Sequence, residues 1–208
     1  MRTETVTIYE YDELPTEAAK EKAREWFREV SRDDTFWHES VTEDFAENLA
    51  PLLGWDIGKP RHARTGYAVY FSGFWSQGDG AQFEGDWSAQ RVKSVKEARG
   101  TMNDKEFLAL VARYKAFARS NPNATASVKT DGRYCHEYCT AFDFDDGREN
   151  RAGYRVEREK TFIELSRDVM RWLYRRLETE YEYQNADEQI AETIRAKGYE
   201  FTADGARA

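Results

Sequence analysis

The segment with the most potential for chemistry is a glycine- and aromatic-rich run at residues 71–87. A tryptophan offers an indole face for stacking, and short polar side chains beside it can form hydrogen bonds. Glycines let the backbone approach a ligand or another backbone closely. We predict that a ligand or partner contacts Trp75, Ser76, Gln77, Asp79 and Trp87. The alternative is a structural hairpin whose aromatic side chains fill the core, and the residue types leave both interpretations open.

Catalysis by carboxylates has less support. Asp79, Glu84 and Asp86 have the side chains that a hydrolase needs, and the last two are spaced to share one face of a strand. However, the chain has 39 acidic residues, so such spacing is expected by chance. The run also lacks the lysine and the spacing of a phosphate-binding P-loop. We therefore predict no catalytic residues and keep hydrolysis as a minor alternative.

Two groups of residues resemble incomplete metal sites. The acidic residues between positions 143 and 149, which include Glu149, offer oxygen ligands for a hard cation, but their spacing does not match an EF-hand. His136 stands between the chain's two cysteines, Cys135 and Cys139, without the second ligand pair of a zinc site. We expect neither a metal site nor a cofactor.

Composition restricts the partners. The chain has 208 residues, 34% of them charged, and a formal net charge of −8, which argues against direct binding to nucleic-acid phosphates and suits a basic protein partner. No apolar run is long enough to span a bilayer, and the first residues do not resemble a signal peptide. We therefore expect a cytoplasmic protein with reduced thiols and no membrane contact.

Alternating apolar residues predict the strands that position the glycine-rich run. Residues 67–71 and 81–87 would form an antiparallel hairpin with residues 72–80 at its tip, and Gly85 marks a bulge or a close backbone approach. Asp131-Gly132 predicts a tight turn, followed by one long strand from residue 134 to residue 144. Further strands are predicted at residues 3–11 and 199–202.

Apolar residues at helical spacing predict the remaining elements. Gly54 and Gly198 are expected to end two of the helices, and Asn103 to cap the start of another. The predicted helices lie at about residues 15–30, 37–53 and 104–120, followed by a long helix with its apolar stripe at residues 162–181 and a short helix that begins at the capping pattern of residues 185–188 and ends at Gly198. The sequence thus predicts an α+β fold in which an antiparallel sheet built from hairpins packs against several amphipathic helices. We expect a single domain over residues 1–208 with a helical C-terminal part at about 158–198.

Three segments together resemble a family of small bacteriophage and prophage proteins. The central motif is FSGFWSQGDG at residues 71–80, followed by FEG at 83–85. The opening of those proteins is similar to residues 18–27, and their end is similar to residues 191–202. Proteins of this family are commonly labelled antitoxin of a toxin–antitoxin stability system. The resemblance implies a phage or prophage accessory protein in the cytoplasm of a bacterial host, and it brings no catalytic residues.

Besides the minor hydrolase alternative, two binding functions remain open. In the first, the protein binds a host or toxin protein stoichiometrically, with Trp75 as the main anchor. In the second, a pocket around Trp75, Gln77, Asp79 and Trp87 binds a small polar ligand such as a nucleotide signal.

Overall fold

The structure, a computed structural model, describes residues 7–31, 36–60, 66–148 and 152–208. The chain divides into two compact units. The small unit comprises Met1–Trp37 and Thr179–Ala208, and the large unit comprises His38–Glu178. Helices combine with antiparallel strands, so the predicted α+β class is confirmed. Folding as a single domain stays a prediction.

The elements alternate irregularly between helix and strand along the chain. In chain order they are β1 (Tyr9–Glu10), α1 (Glu17–Val30), α2 (Glu39–Asp44), β2 (Trp55–Ile57), β3 (Val69–Phe71), β4 (Ala81–Phe83), β5 (Gly85–Ser88), α3 (Val95–Ala98), α4 (Lys105–Ser120), β6 (Thr125–Thr130), β7 (Thr140–Asp145), α5 (Ala152–Asn185), α6 (Asp187–Lys197) and β8 (Glu200–Phe201). In the described part of the chain, none of the helices combines the length and the apolar character that a bilayer-spanning segment needs.

A four-stranded antiparallel sheet, in the order β2-β5-β6-β7, forms the centre of the large unit. Matching positions on the four strands carry Trp55, Trp87, Ala126 and Phe144, and all four side chains are buried. Phe162 of α5 covers this row, with ring-centroid distances of 4.6 Å to Trp87 and 5.3 Å to Phe144. The core of the large unit therefore lies between this face of the sheet and its helices.

The predicted hairpin around the glycine-rich run is confirmed. Strands β3 and β4 pair antiparallel, with Phe71 opposite Ala81. The Ser72 N–H donates to the Gly80 carbonyl oxygen at 3.1 Å, so residues 72–80 form the tip. We call these residues the tryptophan loop.

The predicted strand 81–87 is divided at Glu84 into β4 and β5, which belong to different sheets. The Glu84 backbone links the two sheets, since its N–H donates to Ala68 at 2.8 Å and its carbonyl oxygen accepts from Gly58 at 3.0 Å. Gly85 follows, and a Cβ there would overlap the Asp56 carbonyl oxygen of the neighbouring strand. The predicted close backbone approach at Gly85 is therefore confirmed.

The second predicted hairpin exists, but its connection is longer than expected. Strands β6 and β7 pair antiparallel, whereas residues 131–139 form a loop instead of the first part of a strand. The Asp131 N–H donates to the Cys139 carbonyl oxygen at 2.9 Å and closes this loop. Glu137 bonds to Arg171 on α5, so contacts outside the sheet override the strand pattern here. We call residues 131–139 the tyrosine loop.

The predicted helix ends are confirmed in part. Gly54 ends the second helical stretch and Gly198 ends α6, both with positive φ as predicted. Asp104, not Asn103, caps α4, accepting from the Phe107 N–H at 2.8 Å. The second stretch is also less regular than expected, because α2 continues as a π turn (Phe45–Leu49) and a 3-10 turn.

The small unit pairs β1 with β8 and packs α1 against α6. Its core includes Ala23, Phe27, Ile194 and Phe201. The first strand was predicted over residues 3–11, of which residues 3–6 lie outside the described part of the chain and only Tyr9–Glu10 forms a strand.

Candidate functional site

The backbone of the tryptophan loop is held by Asp79. Its Oδ2 accepts from the Trp75 N–H at 3.0 Å and from the Ser76 N–H at 2.6 Å, and its own N–H donates to the Ser76 carbonyl oxygen at 3.1 Å. A carboxylate that accepts two backbone N–H groups stabilises one loop conformation. The role of Asp79 in the structure is therefore to set the conformation of the loop.

Two rings anchor the loop to the large unit. Phe74 is buried, and its ring lies 6.1 Å from Phe71 and 5.4 Å from Tyr174 of α5 between centroids. The Tyr174 hydroxyl donates to the Gly73 carbonyl oxygen at 2.9 Å. Burial, followed by nearby negative charge that includes Asp79, raises the pKa of Tyr174 above its ordinary value.

Trp75 stands beside these anchors but projects outward. Its side chain is 75% exposed, the largest value among the large apolar side chains that the structure describes. The indole meets the ring of Phe74 edge-on, at 6.0 Å between centroids. The loop thus holds its backbone in place and leaves a broad apolar face in contact with solvent.

The tyrosine loop packs beside the tryptophan loop. A Cβ at Gly80 would lie 3.0 Å from the Cys135 carbonyl oxygen and 3.0 Å from the His136 Cα, so a side chain at this position would push the two backbones apart. A Cβ at Gly78 would lie 3.6 Å from the Tyr134 ring. The buried Gln82 amide, oriented to satisfy its surroundings, donates to the Cys139 carbonyl at 2.8 Å and to that of His136 at 3.1 Å. The two loops therefore form one connected surface.

Arginines of α5 fix the far side of the tyrosine loop. Arg171 donates from Nε to Glu137 at 2.9 Å and from Nη2 to the Tyr138 hydroxyl at 3.0 Å. The Arg167 guanidinium lies over the Tyr138 ring at 4.4 Å, and the His136 ring stacks on that ring at 5.5 Å. These contacts order Tyr138 although its side chain is 58% exposed.

Three exposed aromatic side chains are thereby presented by two packed loops. We call Trp75, Tyr134 and Tyr138 the aromatic surface; the two tyrosines are 56% and 58% exposed. The sequence prediction missed both tyrosines because it placed them on a strand. The signal that could have found them is the density of aromatic residues, histidine and cysteine directly after Asp131-Gly132.

The structure brings together four of the five predicted site residues. Trp75, Ser76 and Gln77 are exposed in the tryptophan loop, and Asp79 lies beneath them. Trp87 is 1% exposed in the core, and its Nε1–H donates to the Leu53 carbonyl oxygen at 2.8 Å. The predicted pocket with Trp75 and Trp87 as two stacking faces is therefore not formed, because one of the two indoles is enclosed by other aromatic rings.

The residues considered for catalysis have different surroundings. Glu84 is buried and accepts from the Thr130 N–H at 3.0 Å and from the Thr130 hydroxyl at 2.7 Å, whereas Asp86 is exposed. The pKa of the Cys135 thiol is raised by burial and then by Cys139, which disfavours the nucleophilic thiolate.

The acidic residues after position 142 show no arrangement for a cation. Asp146 is buried and paired with Arg158, while Glu149 lies outside the described residues. Across the described ranges, no group of three or more His, Cys, Asp or Glu side chains is arranged to hold a metal ion.

The fold and the surface define an α+β protein that presents exposed aromatic side chains on two mutually packed loops. The chain belongs to the family described as a domain of unknown function (DUF8835), whose family model matches residues 37–187. This match spans the large unit and both loops. No curated protein and no solved structure matches the chain.

Proposed function

We propose that this protein binds a protein partner stoichiometrically through its aromatic surface. The biological setting proposed with it is that of a phage or prophage accessory protein in the cytoplasm of a bacterial host, antitoxin-like or modulating host defence, with a host or toxin protein as the partner. The observation that carries the binding proposal is the 75% exposed Trp75 on a loop whose backbone is held by Asp79 and Tyr174.

Exposure of a whole indole is unfavourable in water, at roughly 25 cal/mol per Å² of apolar surface. A side chain needed only for stability would be expected to pack inside, as Trp87 does. Tryptophan, tyrosine and arginine are also the residues that most often dominate the binding energy of protein interfaces. All three residue types are found here, since Arg167 and Arg171 contact Tyr138 of the aromatic surface.

The fixed conformation of the two loops also supports binding. An interface residue that is fixed before association loses less conformational entropy when the complex forms. Asp79 fixes the tryptophan loop, and Arg171 fixes the tyrosine loop through Glu137. The surface can therefore bind with little reorganisation.

The test is affinity capture from a lysate of the bacterium that carries the gene, with the captured proteins identified by mass spectrometry. We expect Trp75→Ala and Tyr134→Ala each to abolish enrichment of the same partner, because both remove exposed aromatic area. Tyr183→Ala is the matched control, since Tyr183 is 55% exposed in the small unit and outside the aromatic surface.

Unchanged capture by a folded Trp75→Ala variant would remove the aromatic surface from the interface. Native mass spectrometry of freshly purified protein addresses the small-ligand alternative. A co-purifying small molecule that is lost in Trp75→Ala would favour a ligand-binding protein over a protein-binding one.

A further inference from the structure

Both cysteines of the chain, Cys135 and Cys139, lie in the tyrosine loop. They are free thiols in the structure, and both residues are half-buried. Tyr134 directly precedes the first cysteine, and Tyr138 directly precedes the second. Each thiol is therefore adjacent in the chain to one of the two tyrosines of the aromatic surface, and a covalent bond between the thiols would act on both tyrosines.

The backbone of the loop brings the two cysteines close to each other. The Cys139 N–H donates to the His136 carbonyl oxygen at 2.8 Å and closes a turn over residues 136–139. The Cα atoms at the two ends of a four-residue turn lie less than about 7 Å apart. Cys135 directly precedes this turn, so the two cysteines flank it. Disulfide bonds usually join residues whose Cα atoms are about 4.4–6.8 Å apart, and the turn places Cys135 and Cys139 close to that range.

A second observation places the two side chains near each other. Burial, and after it the charge on Cys139, raises the pKa of the Cys135 thiol. The Coulomb interaction between two groups falls with their separation and is screened by the solvent, so a nearby thiolate is needed for this effect. The turn and the electrostatic interaction therefore agree that the two thiols are neighbours within the loop.

The loop has space for the Cys139 thiol to move. A Cβ at Gly132 would lie 3.5 Å from the Cys139 Sγ, so the thiol lies beside a residue that has no side chain. Rotation about the Cα–Cβ bond moves a sulfur atom between staggered positions. The Cys139 backbone is held on both sides, since its N–H bonds to His136 and its carbonyl oxygen accepts from Asp131 at 2.9 Å. A bond between the thiols would therefore draw Cys135 toward Cys139.

We propose that Cys135 and Cys139 form a reversible disulfide bond across the tyrosine loop, and that this bond weakens partner binding by moving Tyr134. A Cβ at Gly80 would lie 3.0 Å from the Cys135 carbonyl oxygen, and a Cβ at Gly78 would lie 3.6 Å from the Tyr134 ring. A shift of Cys135 toward Cys139 changes both contacts with the tryptophan loop. Formation of the bond involves this chain alone, whereas its effect on binding rests on the proposed function.

The reaction is a thiol–disulfide exchange with a small disulfide, glutathione disulfide, as the oxidant. The thiolate of one cysteine attacks a sulfur of the oxidant, forms a mixed disulfide and releases one glutathione thiolate. The thiolate of the other cysteine then attacks the protein sulfur of the mixed disulfide and releases the second glutathione thiolate. The two protons lost by the cysteines pass to the two glutathione thiolates. Two cysteine thiols are thereby oxidised to one disulfide, and one glutathione disulfide is reduced to two thiols.

The first test is incubation of the reduced full-length chain with glutathione disulfide, followed by acid quenching and intact mass spectrometry. We expect the mass to fall by about 2 Da, the loss of two hydrogen atoms, and peptide mapping to join Cys135 to Cys139. Cys135→Ser and Cys139→Ser are the matched variants, and each should instead retain one glutathione adduct. A wild-type chain that ends as a glutathione adduct, as a disulfide-linked dimer or with two free thiols would overturn the inference.

Hydrogen–deuterium exchange measures whether the bond alters the contact between the two loops. We expect the amides of residues 72–80 to exchange faster in the oxidised wild-type chain than in the reduced one, because the tyrosine loop no longer packs as closely beside them. The double variant Cys135→Ser with Cys139→Ser, treated with the same oxidant, should show no change. Equal exchange in oxidised and reduced wild type would overturn the proposed movement of the loop.

The effect on binding is tested by repeating the affinity capture with reduced and oxidised wild-type bait in a desalted lysate, from which small thiols have been removed. We expect the oxidised bait to capture at least about fivefold less of the partner. The double serine variant should capture equally after both treatments. Equal capture by the oxidised and reduced wild-type baits would overturn the proposed effect on binding.

The outcomes for this inference and for the proposed function are distinguishable. If Trp75→Ala abolishes capture but no bond forms between Cys135 and Cys139, the disulfide inference falls and the proposed function stands. If the bond forms but capture does not depend on Trp75, the proposed aromatic interface falls and the disulfide remains a property of the loop.

Discussion

The two tryptophans of the central motif should respond to truncation in opposite ways. Trp75→Ala removes a side chain that is 75% exposed, whereas Trp87→Ala removes one that is 1% exposed. We expect the first substitution to affect partner binding and leave the fold intact, and the second to destabilise the large unit. Comparing the two variants tests whether, within one motif, the Trp75 indole serves in binding and the Trp87 indole in the core.

The magnitudes follow from the contacts of each indole. Trp87 lies 4.6 Å from Phe162 and 6.0 Å from Phe117 between ring centroids. Truncation of such a core aromatic to alanine costs about 3–5 kcal/mol. The buried Leu53 carbonyl would also lose the donor that now lies at 2.8 Å. For Trp75, whose surface is mostly exposed, we expect a change within roughly 0.5 kcal/mol.

Trp87→Phe is a milder probe of the same site. It keeps an aromatic ring in the core but removes the Nε1–H that bonds to Leu53. Since an unsatisfied buried acceptor costs about 1–3 kcal/mol, we expect an intermediate loss of stability. The expected order of stability is therefore wild type, approximately equal to Trp75→Ala, then Trp87→Phe, then Trp87→Ala.

The assay is urea unfolding followed by far-UV circular dichroism, with the midpoint and the slope fitted for each variant. If Trp75→Ala lowers the free energy of unfolding as much as Trp87→Phe does, Trp75 is part of the core and the argument from its exposure is wrong. A Trp87→Ala protein with wild-type stability would equally contradict the packing described above.

Further substitutions test the backbone approach at Gly85 and the ion pair of the buried Asp146. Gly85→Ala would place a Cβ against the Asp56 carbonyl oxygen, which as backbone cannot easily move, so we expect the free energy of unfolding in urea to fall by about 1–3 kcal/mol or more. At Gly58 a Cβ would make an ordinary contact of 3.7 Å, so Gly58→Ala should cost less stability than Gly85→Ala. Asp146 bonds to Arg158, which lowers the pKa of its carboxyl below the ordinary 3.8. The folded state therefore binds fewer protons than the unfolded state, so the contribution of Asp146 is fully present above its ordinary pKa and is lost as the pH falls through the lowered value. Asp146→Asn and Arg158→Gln should both reduce the loss of stability between neutral and acidic pH, and a pH profile of Asp146→Asn identical to that of the wild type would rule out this contribution.

The sequence by itself determined the features that depend on neighbouring residues. The α+β class, the β3–β4 hairpin with its tip at residues 72–80, and the helix ends at Gly54 and Gly198 were all predicted correctly. The alternation of apolar residues in a strand, their spacing in a helix and the positive φ that glycine accepts each depend on residues only a few positions apart. These features can therefore be predicted from the sequence alone. Even the close approach at Gly85 follows from the missing side chain.

The tertiary structure alone decided which of the similar residues function as a surface. Trp75 and Trp87 have the same side chain and each stands two residues after a glycine, yet Trp75 is exposed and Trp87 is buried. The difference arises because Trp87 lies on the sheet face that Phe162 covers, and that contact joins residues 75 positions apart in the sequence. The tyrosine loop likewise leaves the strand pattern because Gln82 and Arg171, both distant in the sequence, bond to it. Contacts of this range are set by the packing of whole elements, and no local pattern in the chain encodes them.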